Sequence, residues 1–382
     1  MSGRNLMHNA DISSELKSEN SLTNKILLRL IIIILSIIIC FLFIEIVFRL
    51  FYPAKLDRAQ HEKNRTFHLI KPLLEPSDDP TIGYELKRNA DIEWLGCRVI
   101  TDENGCRIGS SGECSRTDGV RIAVVGDSTA FGWGVNFEHT IGTVFCCEMN
   151  KITTRPVGMR NYAVPGYNSE QEMQIFRTRT IDFKPDLIIL MHDHNDTLPV
   201  TFMSDHLSLH PEIGDNFFHS DFIRFLIRRY ILWRYKGYQR VDPELNKYTC
   251  GYNSSGPLYD DHIDILYQFN DLAIRRKIPV IFISFFAFPD LEKESQQKDI
   301  LDNLHNKLKQ RLRKTEFFYF DTYPIHLELM QRNSWKSLKP LWIRSSDPID
   351  VHPNAAGHMF LAGKLKDFVL NNQRLKSIFL QK

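Results

Sequence analysis

One long apolar run lies near the N-terminus of the chain. Residues 30–48 carry a single charged side chain, Glu45, and Arg29 and Arg49 stand at the two ends. A helix of this length spans roughly 30 Å, the thickness of a membrane's hydrocarbon core. The run is apolar on every face, unlike an amphipathic core helix, and it is long for the apolar part of a cleaved signal peptide. We therefore predict an uncleaved transmembrane anchor.

Short apolar runs alternate with helix-like stretches over the rest of the chain. Each short run is bounded by glycine, proline or polar residues, as a buried parallel strand would be. The predicted strands are residues 122–125, 187–191, 280–286 and 317–320, and the predicted helices are residues 138–150, 169–180, 261–276, 293–314 and 354–370. This alternation predicts an α/β fold whose mainly parallel sheet is covered by helices on both faces.

These patterns also divide the chain into segments. The predicted segments are a short tail over 1–25, the anchor over 26–50, a stalk with short strands over 51–117 and the α/β domain over 118–382. Residues 199–256 interrupt the domain as an insertion, in which residues 221–236 form an apolar helix with a basic face. We favour a packed amphipathic helix there, and a lid or a helix resting on a lipid surface are the alternatives.

Composition and charge exclude several classes of protein. Hydrophobic residues make up 43% and charged residues 25% of the chain, which excludes wholesale disorder. The net charge of +2 gives no basic field, so no nucleic-acid partner is expected. Basic residues balance across the anchor, so charge counting leaves its orientation open. They are Lys17, Lys25 and Arg29 before it and Arg49, Lys55 and Arg58 after it.

The cysteines carry little functional signal. Seven cysteines are too few for a disulfide scaffold, and their spacing matches no zinc motif. Cys97, Cys106 and Cys114 cluster in one loop-rich stretch, where a disulfide is one interpretation. Buried free thiols are the interpretation that we favour.

Polar residues follow the predicted strands, where ligand sites form in sheets of this kind. Ser128 comes directly after the first strand, Gly166 lies in a turn after the second region, and Asn195 follows the third. Asp350 and His352 precede the last helix. A serine hydroxyl needs a basic histidine to take its proton, an acceptor to orient that histidine, and donors for the oxyanion. We therefore predict Ser128 as nucleophile, His352 as base and Asp350 as orienting residue. The predicted oxyanion donors are the backbone N–H groups of Ser128 and Gly166 and the amide of Asn195.

Four short sequence blocks, in their order along the chain, resemble the SGNH (GDSL) hydrolase family over residues 118–372. They are Gly126-Asp127-Ser128, the Gly166 turn, Asn195-Asp196 and Asp350-Val351-His352-Pro353. The resemblance implies a flavodoxin-like three-layer α/β/α sandwich and ester hydrolysis or acyl transfer without metal or cofactor. The anchor ending in Glu45-x-x-x-Arg49 and the Asn104-Gly-Cys-Arg107 stretch resemble the membrane-anchored bacterial branch, which implies a catalytic domain outside the cytoplasm.

Two positions depart from the family pattern. Asp193 stands two residues before Asn195, where the family usually has glycine. The aspartate of the last block stands two residues before His352 rather than three, as in the branch of polysaccharide O-acetyltransferases. Asp347 is therefore an alternative orienting residue.

Several nearby polar residues have structural interpretations. His192, Asp193 and His194 suggest a zinc site, but no known metal motif accompanies them, and a polar rim of the substrate pocket is the favoured interpretation. The remaining assignments are bracing of loops by Asp127 and Asp196, capping of the last helix by Asn354 and packing of His358 within that helix.

The sequence therefore predicts a membrane-anchored serine esterase or deacylase that acts on a sugar or lipid ester outside the cytoplasm. Its substrate would be a small-molecule or polymer ester, with no metal and no cofactor. A polysaccharide O-acetyltransferase using the same residues is the close alternative. A non-catalytic protein that binds an envelope polymer is the alternative from another class. The sequence leaves the oligomeric state open.

Overall fold

The structure, a computed structural model, describes residues 25, 27–47, 70–79, 81–110, 112, 114–197, 257–285, 295–335, 338–343 and 352–380. The chain divides into two compact units, one with the N-terminal helix and one with the sheet. Several predictions lie outside the described residues: the insertion over 199–256, Cys250, and the two candidate orienting residues Asp347 and Asp350.

The N-terminal helix α1 spans Leu27–Val47. It is 21 residues long with a mean hydropathy of 3.3, so its length and composition suffice to cross a membrane. This confirms the apolar helix predicted from the sequence.

A mainly parallel sheet forms the centre of the second unit. Its parallel strands are β6 (Val120–Gly126), β7 (Val157–Asn161), β8 (Leu187–His192), β9 (Val280–Ser284) and β10 (Phe318–Asp321). They lie in the order β10-β9-β8-β6-β7, so the chain runs from β6 outwards to β7 and then crosses to the other side for the remaining strands. This is the flavodoxin-like order, with its switch point between β6 and β8. The predicted fold class is confirmed.

Short antiparallel strands from the region before residue 118 join the same sheet. They are β3 (Asp91–Trp94), β4 (Cys97–Thr101) and β5 (Arg107–Ile108), which extend the sheet beyond β7 in the order β7-β5-β4-β3. A separate hairpin pairs β1 (Leu74–Pro76) with β2 (Tyr84–Leu86). Strands on both sides of residue 118 therefore share one sheet.

Helices cover both faces of the sheet. The helices after α1 are α2 (Ser128–Phe131), α3 (Ile141–Asn150), α4 (Ser169–Ile175), α5 (Pro257–Arg276), α6 (Ser295–Leu312), α7 (Thr322–Asn333), α8 (Ala355–Asn371) and α9 (Gln373–Leu380). Every residue of β8 and of β9 is buried, as expected of central strands with helices packed on each side.

Two helices differ from the limits that the sequence pattern predicts. Helix α3 begins at Ile141 rather than at residue 138, because the Thr140 side chain accepts a hydrogen bond from the Thr143 backbone N–H. The predicted helix over 169–180 is α-helical only to Ile175 and continues as a π-helix over Phe176–Thr180. The π-helical part covers only about one helical turn, which is too short for its hydrophobic period to be distinguished in the sequence.

Candidate active site

A tight turn presents Ser128 at the C-terminal end of β6. Gly126 has φ +155°, and a Cβ there would lie 2.6 Å from the Ala130 Cβ and 2.9 Å from the Met191 carbonyl oxygen, so only glycine fits. Asp127 caps the short helix α2 by accepting a hydrogen bond from the Thr129 N–H at 3.0 Å. The bracing role predicted for Asp127 is confirmed. The turn therefore places the Ser128 hydroxyl and N–H beside each other at the helix start.

His352 lies against Ser128 although 224 residues separate them. The His352 Nε2 is 2.8 Å from the Ser128 Oγ, and the Asp127 Oδ2 accepts a weaker hydrogen bond from the same Oγ at 3.2 Å. Ser128 is 9% exposed, so the pair is shielded yet within reach of a ligand. The spacing suits proton transfer between the two groups.

The segment around His352 is fixed by backbone and side-chain hydrogen bonds. The Ile343 N–H donates to the His352 carbonyl at 2.9 Å. Asn354 accepts from the Gly357 N–H at 3.0 Å, which caps α8, and its Nδ2 donates to the carbonyls of Pro340 and Trp342. The predicted capping by Asn354 is therefore confirmed, and it anchors the chain two residues after His352.

His358 packs inside the domain, as predicted. It is fully buried on α8, and its Nδ1 accepts from the Ile141 N–H at 3.2 Å. Burial, with smaller contributions from nearby cations, lowers the pKa of His358 to about 3, so it stays neutral. It therefore joins α8 to α3.

The Gly166 turn is attached to the strand end that precedes Ser128. The Tyr167 N–H donates to the Val164 carbonyl at 3.1 Å, and Gly166 has φ +81°, the geometry of a type II turn with glycine at its third position. The Val164 N–H in turn donates to the Gly126 carbonyl at 3.2 Å. Gly166 is partly exposed, so the turn can present backbone to a ligand.

The third block follows β8 as a short 3₁₀ turn over His194–Thr197. The side chains of His194 and Asn195 lie outside what the structure describes. Asp193 stands where the family that the sequence resembles usually has glycine, and its Oδ2 accepts from the Thr129 Oγ1 at 2.7 Å. This departure therefore ties the third block to the residue next to Ser128.

His192 and Asp196 make internal hydrogen bonds. The Asp196 Oδ2 lies 2.6 Å from the His192 Nδ1 and accepts from the Asp193 N–H at 3.2 Å, so the bracing role predicted for Asp196 is confirmed. The His192 ring stacks on the buried His262, whose Nδ1 contacts the Ser169 Oγ. Within the described part of the chain, no three His, Cys, Asp or Glu side chains group as metal ligands do.

A buried glutamate lies among the carboxylates behind Ser128. Glu172 on α4 is 1% exposed. Burial and the charges of Asp196, Asp127 and Asp193 raise the pKa of Glu172 well above its ordinary value of 4.5. The carboxyl group therefore holds a proton well above the pH at which an exposed glutamate would lose it.

Replacing Glu172 with glutamine should stabilise the protein more at high pH than at low pH. Because its folded pKa is raised, the parent loses stability as the pH rises from the ordinary value through the raised one, and the neutral amide avoids that loss. We expect the gain in unfolding free energy to grow by about 1 kcal/mol or more between about pH 5 and pH 8. Urea unfolding at both pH values measures it, with the exposed Glu170→Gln as control. A gain that does not vary with pH would contradict the assignment.

Arg107 and Trp133, to which the sequence analysis assigned no role in the site, support the loop after Ser128 and the His352 ring. Arg107 is fully buried on β5 and donates to the carbonyls of Phe131, Gly132 and Val135 at 2.7–2.8 Å. The Trp133 ring stacks on the His352 ring with centroids 4.7 Å apart. The position of Trp133 between Gly132 and Gly134, five residues after Ser128, was the available signal.

The structure thus brings Ser128 and His352 together. Hydrogen bonds join the Gly166 turn to Gly126, and Asp193 joins the third block to Thr129. The described residues end at Ile343 and resume at His352, so the structure describes neither candidate orienting aspartate.

Comparison with known proteins finds similarity at the level of solved structures. No family model matches the chain, and no curated protein sequence matches it. An acetylxylan esterase from Geobacillus stearothermophilus is 15% identical, with 66% of this chain and 96% of that chain covered and a TM-score of 0.39. A psychrotrophic esterase from Pseudoalteromonas sp. is 10% identical, with coverages of 66% and 99% and a TM-score of 0.40. A GDSL-like lipase from Bacteroides thetaiotaomicron is 15% identical, with coverages of 68% and 93% and a TM-score of 0.37.

Proposed function

We propose that the chain is a serine ester hydrolase in which Ser128 is the nucleophile and His352 is the general base. The observation that carries this proposal is the 2.8 Å approach of the His352 Nε2 to the Ser128 Oγ at the C-terminal edge of a flavodoxin-like sheet. A lone Gly-Asp-Ser is an ordinary loop sequence, whereas a histidine from a distant segment held against that hydroxyl is the arrangement that activates a serine.

The proposed reaction proceeds through an acyl-enzyme. With its ring proton on Nδ1, His352 takes the Ser128 proton at Nε2 while the oxygen attacks the ester carbonyl carbon. The imidazolium then gives that proton to the alkoxide leaving group as the carbon–oxygen bond breaks. Water, deprotonated by His352, attacks the acyl-serine, and the proton returns to Ser128 when the acid leaves.

The proposed oxyanion donors are the N–H groups of Ser128 and Gly166 and the side-chain amide of Asn195. Ser128 begins α2, so its N–H is free of intrahelical bonding and lies at the positive end of the helix. Gly166 supports the proposal because it is partly exposed and because its turn is joined to the Gly126 carbonyl by the Val164 N–H. Asn195 supports it through its place in the 3₁₀ turn that follows β8.

Replacing Asn195 with alanine should lower kcat by about 10²–10³-fold with a smaller effect on KM, because such a donor acts mainly on charge that develops in the transition state. Steady-state kinetics on an aryl ester measures the two constants. The matched control is Asn150→Ala, which removes a side chain that bonds the Val157 backbone at the far end of β7. A loss confined to KM would assign Asn195 to substrate binding instead.

We further propose that α1 anchors the protein in a membrane with the catalytic domain outside the cytoplasm. The length and hydropathy of the helix support the anchor, and the resemblance of Glu45-x-x-x-Arg49 to the anchored branch supports the location. A catalytic domain held there would meet esters of envelope sugars or lipids, so we propose an O-acyl group on one of these as substrate.

The full-length protein should remain in the membrane fraction after an alkaline carbonate wash, because a spanning helix of this length holds a protein effectively irreversibly. Protease added to intact cells whose outer barrier is permeabilised should then cleave the catalytic domain. Release into the wash, or a mature N-terminus beyond residue 48, would contradict the anchor. Protection of the domain from protease would reverse the orientation.

Turnover by the full-length protein in detergent tests the function. We expect hydrolysis of a short-chain aryl ester in water. If a sugar acceptor diverts the acyl group into a sugar ester, the O-acetyltransferase alternative is correct. If no ester is consumed but an envelope polysaccharide binds, the non-catalytic alternative is correct.

A further inference from the structure

We propose that Trp133 is a positioning residue for the Ser128–His352 pair and that the antiparallel extension of the sheet serves the active site through it. This inference rests on the proposed function. The stack of the two rings is close to parallel, with an interplanar angle of 13° and a centroid distance of 4.7 Å.

Trp133 contacts both members of the pair. Its backbone N–H donates to the Ser128 carbonyl at 3.0 Å, while its ring covers one face of the His352 ring. One residue therefore sets the position of the nucleophile's backbone and the plane of the base. Because proton transfer depends on the alignment of Oγ with Nε2, a ring free to tilt would spend less time in the productive geometry.

The Trp133 ring is itself held by the extension. Trp94, on β3, meets it edge to face with centroids 4.8 Å apart and an interplanar angle of 82°. Trp94 also contacts Phe131 edge to face, and Trp133 is only 5% exposed. Arg107, on β5, donates hydrogen bonds to the carbonyls of Gly132 and Val135, which lie on either side of Trp133 in the sequence. The added strands thus supply the side chains that support the turn carrying Ser128 and Trp133.

The stack should strengthen during the reaction. His352 becomes an imidazolium when it takes the serine proton, and the face of an indole ring attracts a cation. The contact therefore favours the transition state over the resting state, which affects kcat more than KM.

The test compares Trp133→Leu, Trp133→Phe and Trp94→Leu in the full-length protein. We expect Trp133→Leu to lower kcat about tenfold or more with little change in KM, Trp94→Leu to have a smaller effect, and Trp133→Phe to recover most of the loss, because phenylalanine can still stack. The control is Phe379→Leu, which removes a buried edge-to-face contact with Phe145 elsewhere in the domain and should leave kcat within about twofold.

A spectroscopic measurement makes the result independent of turnover. In NMR spectra of protein with isotope-labelled histidine, the His352 ring signals are those that disappear in His352→Asn. These signals should shift downfield in Trp133→Leu, because the shielding ring current of the stacked indole is lost. No shift would overturn the inference, as would an unchanged kcat in Trp133→Leu or an equal loss in Phe379→Leu. If the parent hydrolyses no ester, the proposed function fails and the shift alone decides for or against the positioning contact.

A second, independent observation assigns a disulfide site to Cys114 and Cys147. Their Sγ atoms are 3.4 Å apart, between the loop before β6 and helix α3. Cys147 is partly exposed, so an external disulfide can reach it. Two other cysteines are buried and make different contacts: the Cys97 Sγ donates to the Trp94 carbonyl, and the Cys146 Sγ donates to the Val157 carbonyl.

The bond would form by exchange with a small disulfide such as oxidised glutathione. The Cys147 thiolate attacks one sulfur and expels one glutathione thiolate. The Cys114 thiolate then attacks the Cys147 sulfur and expels the second, so two protein thiols are oxidised as one disulfide is reduced to two thiols. Closing the remaining gap to a bond of about 2.05 Å requires a side-chain rotation.

Peptide mass analysis of the full-length protein after exposure to oxidised glutathione tests this site. We expect a linked Cys114–Cys147 peptide that is two hydrogens lighter than the sum of its parts and that separates on reduction. The control, Cys147→Ser, should leave Cys114 open to alkylation after unfolding. A glutathione adduct that persists on Cys147, or two thiols that both remain free, would overturn the assignment.

Discussion

Replacing Ser128 with alanine is expected to lower ester turnover by about three orders of magnitude or more without unfolding the protein, because the members of a serine–histidine unit act together. His352→Asn should cost a similar amount, since it removes the base that lies 2.8 Å from the hydroxyl. The measurement is steady-state turnover of an aryl ester by full-length protein in detergent, alongside circular dichroism for folding.

The chain offers a matched control in a second serine–histidine contact. Ser169 is buried, and its Oγ contacts the Nδ1 of the buried His262. The Ser169 Oγ also donates to the Asp196 carbonyl at 3.0 Å, so Ser169→Ala loosens the third block but removes no reacting group, and it should keep turnover within about tenfold. A folded Ser128→Ala variant that retains turnover while Ser169→Ala loses it would transfer the nucleophile's role to Ser169.

Replacing Asp350 with asparagine is the second change from which we expect a large loss. Loss of the orienting carboxylate leaves the histidine in the wrong tautomer, which costs up to about 10⁴ in kcat in other triads. Side chains two residues apart lie on the same side of an extended chain, and from this spacing alone the sequence predicts Asp350 as the residue that orients the His352 Nδ1. Asp347 is five positions from His352 and is followed by Pro348, so its reach depends on the turn between them.

The comparison of Asp350→Asn with Asp347→Asn therefore decides the third member. We expect severe impairment in the first variant and a mild effect in the second, measured as kcat at matched stability. The opposite ranking would give the orienting role to Asp347. Mild effects in both would show that Ser128 and His352 act as a dyad.

Four of the five parallel strands could be predicted from the sequence because they are continuous apolar runs, whereas Gly158, Arg160 and Asn161 interrupt the apolar pattern of β7 and it was not predicted. The runs at 122–125 and 187–191 are continuously apolar, and the structure places them inside the adjacent strands β6 and β8. The same reasoning found α3, α4, α5, α6 and α8 to within a few residues, but it did not predict α7 or α9. Thr140 illustrates the error that remains, since its side chain determines where α3 starts.

The extension of the sheet could not be predicted in the same way. Strands β3 to β5 have two to five residues each and differ in burial from position to position. An apolar pattern this short does not identify a strand in the sequence. Their place beside β7 depends on a single pairing of Arg107 with Asn161 and on the fit of Trp94 against Phe131. Such contacts between distant segments leave no period in the sequence.

The sequence predicted the serine and histidine of the candidate site but not the contacts that support them. Ser128 and His352 were identified because each lies in a recognisable block, and the structure brings them together. The Trp133 stack required the three-dimensional arrangement, because nothing near His352 in the sequence indicates an aromatic partner. Likewise, Cys114 was grouped with its sequence neighbours, whereas the nearby thiol belongs to Cys147 on α3.

Covalent labelling of the nucleophile tests the central claim most directly. A fluorophosphonate reacts with a serine hydroxyl that a neighbouring base has activated, and it leaves a phosphonyl group on that oxygen. We predict that the full-length parent is modified on the peptide containing Ser128, that turnover falls in proportion to labelling, and that His352→Asn resists modification. Stoichiometric labelling of a different serine, or full turnover after Ser128 is modified, would contradict the account.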